Sequence, residues 1–129
     1  MVTVEEIQKE ATELNEKYQK SQAAMAALDS SIQQINVTVN ENTSVKKELE
    51  GMKEGQKVYK LVGPVLIHVD RSEALSNVEN RLKLLQRQQD DLAEKAKKES
   101  DNYKSIEDAF IKLQQKAAML QVENLPKQK

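Results

Sequence analysis

Catalysis needs a nucleophile, a base or a metal ligand within reach of another such group, and this chain holds few. His68 is its only histidine and it has no cysteine. A metal site draws on several His, Cys or carboxylate ligands at fixed spacing, and a single imidazole beside an apolar run has no second partner. There is no Gly-rich phosphate loop and no Ser-His-acid set. The 21 acids are interleaved with 20 lysines and arginines, the pattern of solvated helix faces. The expectation is no catalytic residue, no metal ligand and no cofactor, in a protein that is not an enzyme. The residues whose spacing does point to a task are apolar. In VYKLVGPVLIHV, Val58 to Val69, eight of twelve are Val, Leu, Ile or Tyr, although 32% of the whole chain is charged.

The elements around this run follow from the rest of the composition. Ala, Glu, Lys, Gln and Leu dominate, aromatics are 3%, and Phe110 is the only Phe, the palette of long helices rather than of a packed globule. From Val4, steps of three and four residues meet Ile7, Ala11, Leu14, Tyr18, Ser21, Met25, Leu28, Ile32, Ile35, Val39, Asn42, Lys46 and Leu49, eleven of fourteen being apolar. From Leu75 a second stripe meets Val78, Leu82, Leu85, Gln89, Leu92, Ala96, Glu99, Tyr103, Ile106, Phe110, Leu113, Ala117 and Leu120, with twelve of fourteen apolar. A repeat of this kind held for about seven heptads is a coiled-coil seam with a left-handed supercoil. Each helix then covers roughly 48 residues, about 70 Å at 1.5 Å per residue.

End signals bound the helices. Thr3-Val4-Glu5-Glu6 is a capping box. Gly51 and Gly55 suit a left-handed stop, Asp70 or Ser72 suits the second N-cap, and Pro126 lies beyond the second helix. The chain reads as one domain over 1–129, with a helix at 3–51, a β-hairpin at 56–69 and a helix at 72–123. Folding it back at Val62 pairs Leu49 with Leu75, Val39 with Leu85, Leu28 with Ala96, Leu14 with Phe110 and Val4 with Leu120. The fold class is mostly α: a long antiparallel two-helix coiled coil joined by a β-hairpin. Ser21, Asn42, Lys46 and Glu99 interrupt the seam. They either lock its register as buried polar groups or snorkel out along their stems.

The hairpin has β-formers on both sides of Gly63-Pro64. Two isolated strands are marginal in water, and these carry apolar side chains on both faces and two open edges. The helices leave from one end and spend one face on each other. Pairing with strands of other chains is therefore expected, through Val58, Tyr59, Leu61, Val62, Gly63, Pro64, Val65, Leu66 and Ile67. The alternative is a hairpin lying flat on its own helices. Near the chain ends, Ile111, Ala118, Val122 and Leu125 form an extra stripe facing away from the seam, with Met119 beside it and Val2 near it across the pair. The near-zero net charge of −1 and the lack of basic blocks argue against nucleic acid or an anionic membrane as partner. The patch is too short to span a bilayer, which takes about 20 residues. With no leader sequence evident, the expected location is cytoplasmic, and the sequons at Asn36 and Asn42 read as chance.

Val58-Tyr59-Lys60-Leu61-Val62-Gly63-Pro64-Val65-Leu66, then Asp70, Glu73-Ala74, Asn77-Val78 and Arg81-Leu82, closely resemble the β-type subunits of prefoldin, most nearly the subunit-six branch of eukaryotes. Asn40-Glu41-Asn42, Val45 and Glu48-Leu49 resemble the same family's approach to its hairpin. The resemblance implies a heterohexamer of two α-type and four β-type subunits, whose hairpins join in a double β-barrel from which six coiled coils hang. It further implies ATP-independent holding of unfolded proteins such as actin and tubulin, and transfer to the cytosolic group II chaperonin. On that reading the residues near the chain ends, Val2, Val4, Ile7, Ile111, Ala118, Met119, Val122 and Leu125, would contact the client. A coiled-coil scaffold or tether without chaperone activity is the rival reading. A tether needs only the stripes, and the apolar hairpin discriminates against it.

Overall fold

The computed structural model describes residues 3–123. Helix α1 is Val4–Glu50, strand β1 is Val58–Val62, strand β2 is Val65–Val69 and helix α2 is Arg71–Glu123. The start of α1 is the capping box in full. The Glu6 amide donates to the Thr3 hydroxyl at 3.2 Å, and the Thr3 amide donates to the Glu6 carboxylate at 3.4 Å, satisfying donors that have no partner inside the helix. The start of α2 is set at Asp70, whose carbonyl accepts the Ala74 amide at 2.9 Å.

Of the two glycines expected at the end of α1, Gly55 is left-handed (φ 88°) and Gly51 is not; the Gly51 amide still bonds the Lys47 carbonyl at 3.0 Å. The left-handed residue thus lies in the connector, beyond the helix. What satisfies the last carbonyls is a side chain from the far side of the hairpin. The Arg71 guanidinium donates to the Leu49 carbonyl at 2.6 Å and to the Glu50 carbonyl at 2.7 Å. A cation at a helix C-terminus also complements the helix dipole.

The strands pair antiparallel, with Val58 opposite Val69, Lys60 opposite Ile67, Leu61 opposite Leu66 and Val62 opposite Val65. Gly63 has φ of 59°, and the ring of Pro64 holds its φ near −65°. Positive then negative is the sign pattern of a type II′ turn, whose twist suits a two-residue hairpin loop.

The helices divide into two compact units, one holding Ser30–Ala93 and the other holding α1 up to Asp29 with α2 from Glu94 onward. In the hairpin-bearing unit, Leu49 and Leu85 are buried. Gln89 donates to the Asn36 side chain at 2.9 Å, and Lys46 lies 3.9 Å from Glu79. Both cross-helix contacts fall within one residue of the register read from the stripes, and the helices run antiparallel. Lys46 also lies 3.9 Å from Glu50, so its stem leaves the seam and its ammonium reaches outward, as snorkelling requires. Asn36 and Asn42 both sit within α1, and the Asn42 side-chain Nδ2 donates to the Thr38 carbonyl at 2.8 Å.

In the other unit Ile106 and Leu113 are buried and Lys116 pairs with Glu10 at 3.5 Å, again antiparallel. The ring of Tyr18 packs at 5.5 Å from Tyr103 and edge-on at 6.1 Å from Phe110. These two bracket Ile106, the partner that the folded-back stripes assign to Tyr18. Ser21 is buried in the seam. At 2% exposure it is among the most enclosed side chains described, and its hydroxyl donates to the Glu99 carboxylate at 2.7 Å. Glu99 therefore turns inward, where it also accepts from Asn102 at 3.2 Å. A short side chain leaves room for the carboxylate of the adjacent layer, and the hydrogen bond offsets its burial.

Candidate functional site

The hairpin is where the structure leaves apolar surface unpartnered. Leu61 is 67% exposed and Leu66 is 64% exposed, and they face one another across the strands. Tyr59, Val62, Val65 and Ile67 are exposed as well, while Val58 and Val69 at the base are half-buried. Tyr59 and His68 form a cross-strand pair, edge to face at 5.7 Å. His68 thus belongs to a ring contact, and among the described residues no group of three or more His, Cys, Asp or Glu could hold a metal. Each strand keeps one free edge, since the sheet has two strands only. Residues that alternate along a strand project to opposite faces, so no single covering surface could hide both Leu61 and Val62. The hairpin does not lie flat on its own helices.

At the hairpin's base lies an open groove of about 290 Å³. Its apolar lining comes from Val45 and Leu49 of α1, Val58 and Val69 of the strands, and Ala74 and Val78 of α2. Asn42, Asn77, Lys60 and Arg81 supply polar atoms at the same groove. The period-based reading found the hairpin itself. It missed the groove, because Val45 lies off the 3-4 stripe and looks like an isolated apolar residue on a solvated face.

In the unit that holds the outer helix segments, Met119 is 66% exposed and Val122 is 67% exposed. Val4, Ile111 and Ala118 are exposed too, whereas Ile7 is half-buried in the seam. Val2 and Leu125 lie outside the described residues. Ile111, Ala118 and Val122 recur at spacings of seven and four, so one helix face carries all three.

The Tyr103 phenol has a displaced titration. Its hydroxyl donates to the Tyr18 hydroxyl at 3.3 Å, and Gln22 donates to the same Tyr18 oxygen at 2.9 Å. The hydrogen bond to Tyr18 and then desolvation push the Tyr103 phenol from 10.0 up to about 12. It remains neutral at any physiological pH and acts as a packing and hydrogen-bonding group.

The comparisons with known proteins agree with this geometry. Residues 12–117 match the family described as "Prefoldin subunit". The chain belongs to the prefoldin family. It is 30% identical over 107 residues to prefoldin subunit 6 of Saccharomyces cerevisiae, covering 83% of this chain and 94% of that one. It is 32% identical over 96 residues to the probable prefoldin subunit 6 of Caenorhabditis elegans, covering 69% and 76% of the two chains. Among solved structures, the prefoldin beta subunit from Thermococcus strain KS-1 superimposes with a TM-score of 0.66 at 17% identity, over 84% of this chain and 90% of that one. That likeness shows the fold: two long helices joined by a short antiparallel hairpin. Prefoldin is a chaperone family with coiled-coil architecture, not a catalytic one. No helix among the described residues is long and apolar enough to cross a membrane.

Proposed function

We propose that the chain is one subunit of a prefoldin-type heterohexamer, an ATP-independent chaperone that holds unfolded or nascent proteins and delivers them to the cytosolic group II chaperonin. The hairpin is the assembly element. Its strands join those of α-type and β-type neighbours in a shared β-barrel, which closes both free edges and covers both apolar faces. The observation that carries this reading is the exposure of the directly paired Leu61 and Leu66, with no further strand among the described residues to cover them.

Client contact falls to the outer helix segments. Val4, Ile111, Ala118, Met119 and Val122 offer exposed apolar surface, with Ile7 half-buried near Val4 in sequence; Val2 and Leu125, which lie outside the described residues, are proposed contacts on their residue type alone. Such surface attracts without directionality, at about 25 cal/mol per Å² buried, and a methionine adapts to many shapes. Several weak contacts from separate subunits on one client gain by avidity, and each releases singly without an energy source. Actin and tubulin are the clients expected, in the cytoplasm.

Co-expression with an α-type prefoldin subunit followed by native mass measurement tests the assembly, with a defined hexamer expected. A chain that stays monomeric and well ordered beside that partner refutes it. Ile111→Ser, Met119→Ser and Val122→Ser together are expected to weaken suppression of client aggregation and to leave the hexamer mass unchanged. Undiminished suppression refutes the client assignment alone.

A further inference from the structure

The groove at the hairpin's base has features that a covered hairpin does not explain. Its lining includes two cations, Lys60 on β1 and Arg81 on α2, and no Asp or Glu. Lys46 pairs with Glu50 and Glu79, Lys98 with Glu94, and Lys116 with Glu10. Lys60 and Arg81 take part in none of these pairs. The same groove has apolar lining drawn from both helices and both strands. At about 290 Å³ and open to solvent, the groove sits at the small end of the ~300–1,000 Å³ typical of small-molecule sites. It is the right size for one or two side chains.

We infer that this groove is a specificity pocket for a neighbouring subunit, taking an aliphatic side chain against Val45 and Val78 and a carboxylate from the same segment on Arg81 and Lys60. The inference rests on the assembly reading above and adds to it a chemical requirement on the partner. Continuity selects the occupant. The groove shares Val58, Tyr59, Lys60 and Val69 with the hairpin, so a strand added to the β1 edge runs directly onto it. Strand addition gives affinity through main-chain hydrogen bonds and leaves specificity to pockets for alternate side chains. Charge selects the chemistry. An Arg guanidinium offers a planar fork that matches a carboxylate, and a partner with a cation at that position would be rejected by like charge. The groove would thus favour an acidic neighbour over a second copy of this chain, whose own hairpin strands carry Lys60 and no acid.

The test titrates the full chain with an α-type prefoldin subunit by analytical sedimentation at low and at moderate salt. Wild type is compared with Lys60→Gln/Arg81→Gln and with the conservative Lys60→Arg/Arg81→Lys. Both side chains are exposed, so the double variants are expected to keep the melting temperature of wild type. The Gln pair is expected to associate about tenfold more weakly at low salt and to lose most of the salt dependence, with the conservative pair recovering it. A Gln pair that matches wild type at both salts, beside a wild type that assembles, overturns the pocket and leaves the assembly reading standing. A wild type that fails to assemble overturns the assembly reading itself. Salt-sensitive self-association of the chain alone, lost in the Gln pair, identifies a second copy as occupant and overturns the proposal. So does a Gln pair that assembles normally and loses only client binding.

Discussion

Replacing Leu61 and Leu66 by Ser separates what holds the chain together from what holds the complex together. In the lone chain the two side chains are 67% and 64% exposed, so their apolar surface contributes little to folding. Fully burying a Leu is worth about 1.5–3 kcal/mol relative to leaving it exposed, and about two-thirds of that remains available here, roughly 1–2 kcal/mol each. If neighbours cover both, Leu61→Ser/Leu66→Ser removes about 2–4 kcal/mol of association free energy per subunit, or roughly a 30- to 1,000-fold weaker complex. Titration with an α-type partner, read by native mass or sedimentation, measures that loss. Helical circular dichroism and the melting temperature of the isolated chain serve as the control and are expected to stay near wild type. The reasoning fails in two ways. Assembly at wild-type affinity would mean that the hairpin is not covered by neighbours. A large drop in the isolated chain's stability would mean that the two leucines are sheltered within their own polypeptide.

Arg71→Gln removes the donors to the Leu49 and Glu50 carbonyls and is expected to cost about 1–3 kcal/mol, with faster amide exchange in the last turn of α1; exchange equal to wild type would show that the cap is dispensable. Ser21→Ala leaves Glu99 without its 2.7 Å donor and is expected to lower stability by about 1–2 kcal/mol in denaturant titration, whereas an unchanged midpoint would show that Asn102 and water suffice. For Tyr103, with its pKa raised to about 12, the sign follows from proton linkage. The folded state holds the phenolic proton more tightly than the unfolded state, so this stabilisation is complete below pH 10 and disappears as pH rises toward 12. Tyr18→Phe removes the main cause and should bring the late phase of the tyrosine absorbance titration back toward pH 10. A late phase that persists in Tyr18→Phe would assign it to another phenol.

Features carried by neighbouring residues were legible without any coordinates. The capping box at Thr3 and Glu6, the stripes from Val4 and Leu75, and the Gly63-Pro64 turn all depend on groups within a few positions of one another. Their geometry follows from helix period, strand alternation and allowed φ. Even the pairing of the helices was legible to within a residue at Asn36–Gln89, since an antiparallel seam aligns one stripe against the other. The hairpin's exposure was readable too, because apolar residues on both faces and at both edges exceed what two departing helices can shield.

Other features required the tertiary structure. Arg71 capping a helix 21 and 22 residues away, and Ser21 holding Glu99 across 78 positions, depend on which rotamers meet once the backbones are placed, and no period encodes that. The groove at the hairpin's base likewise draws Val45, Lys60 and Arg81 from three separate elements. A composition or a heptad records what lies along one element. A surface made where several elements converge exists only after their relative positions are set by packing, which is a property of the whole unit and not of any stretch within it.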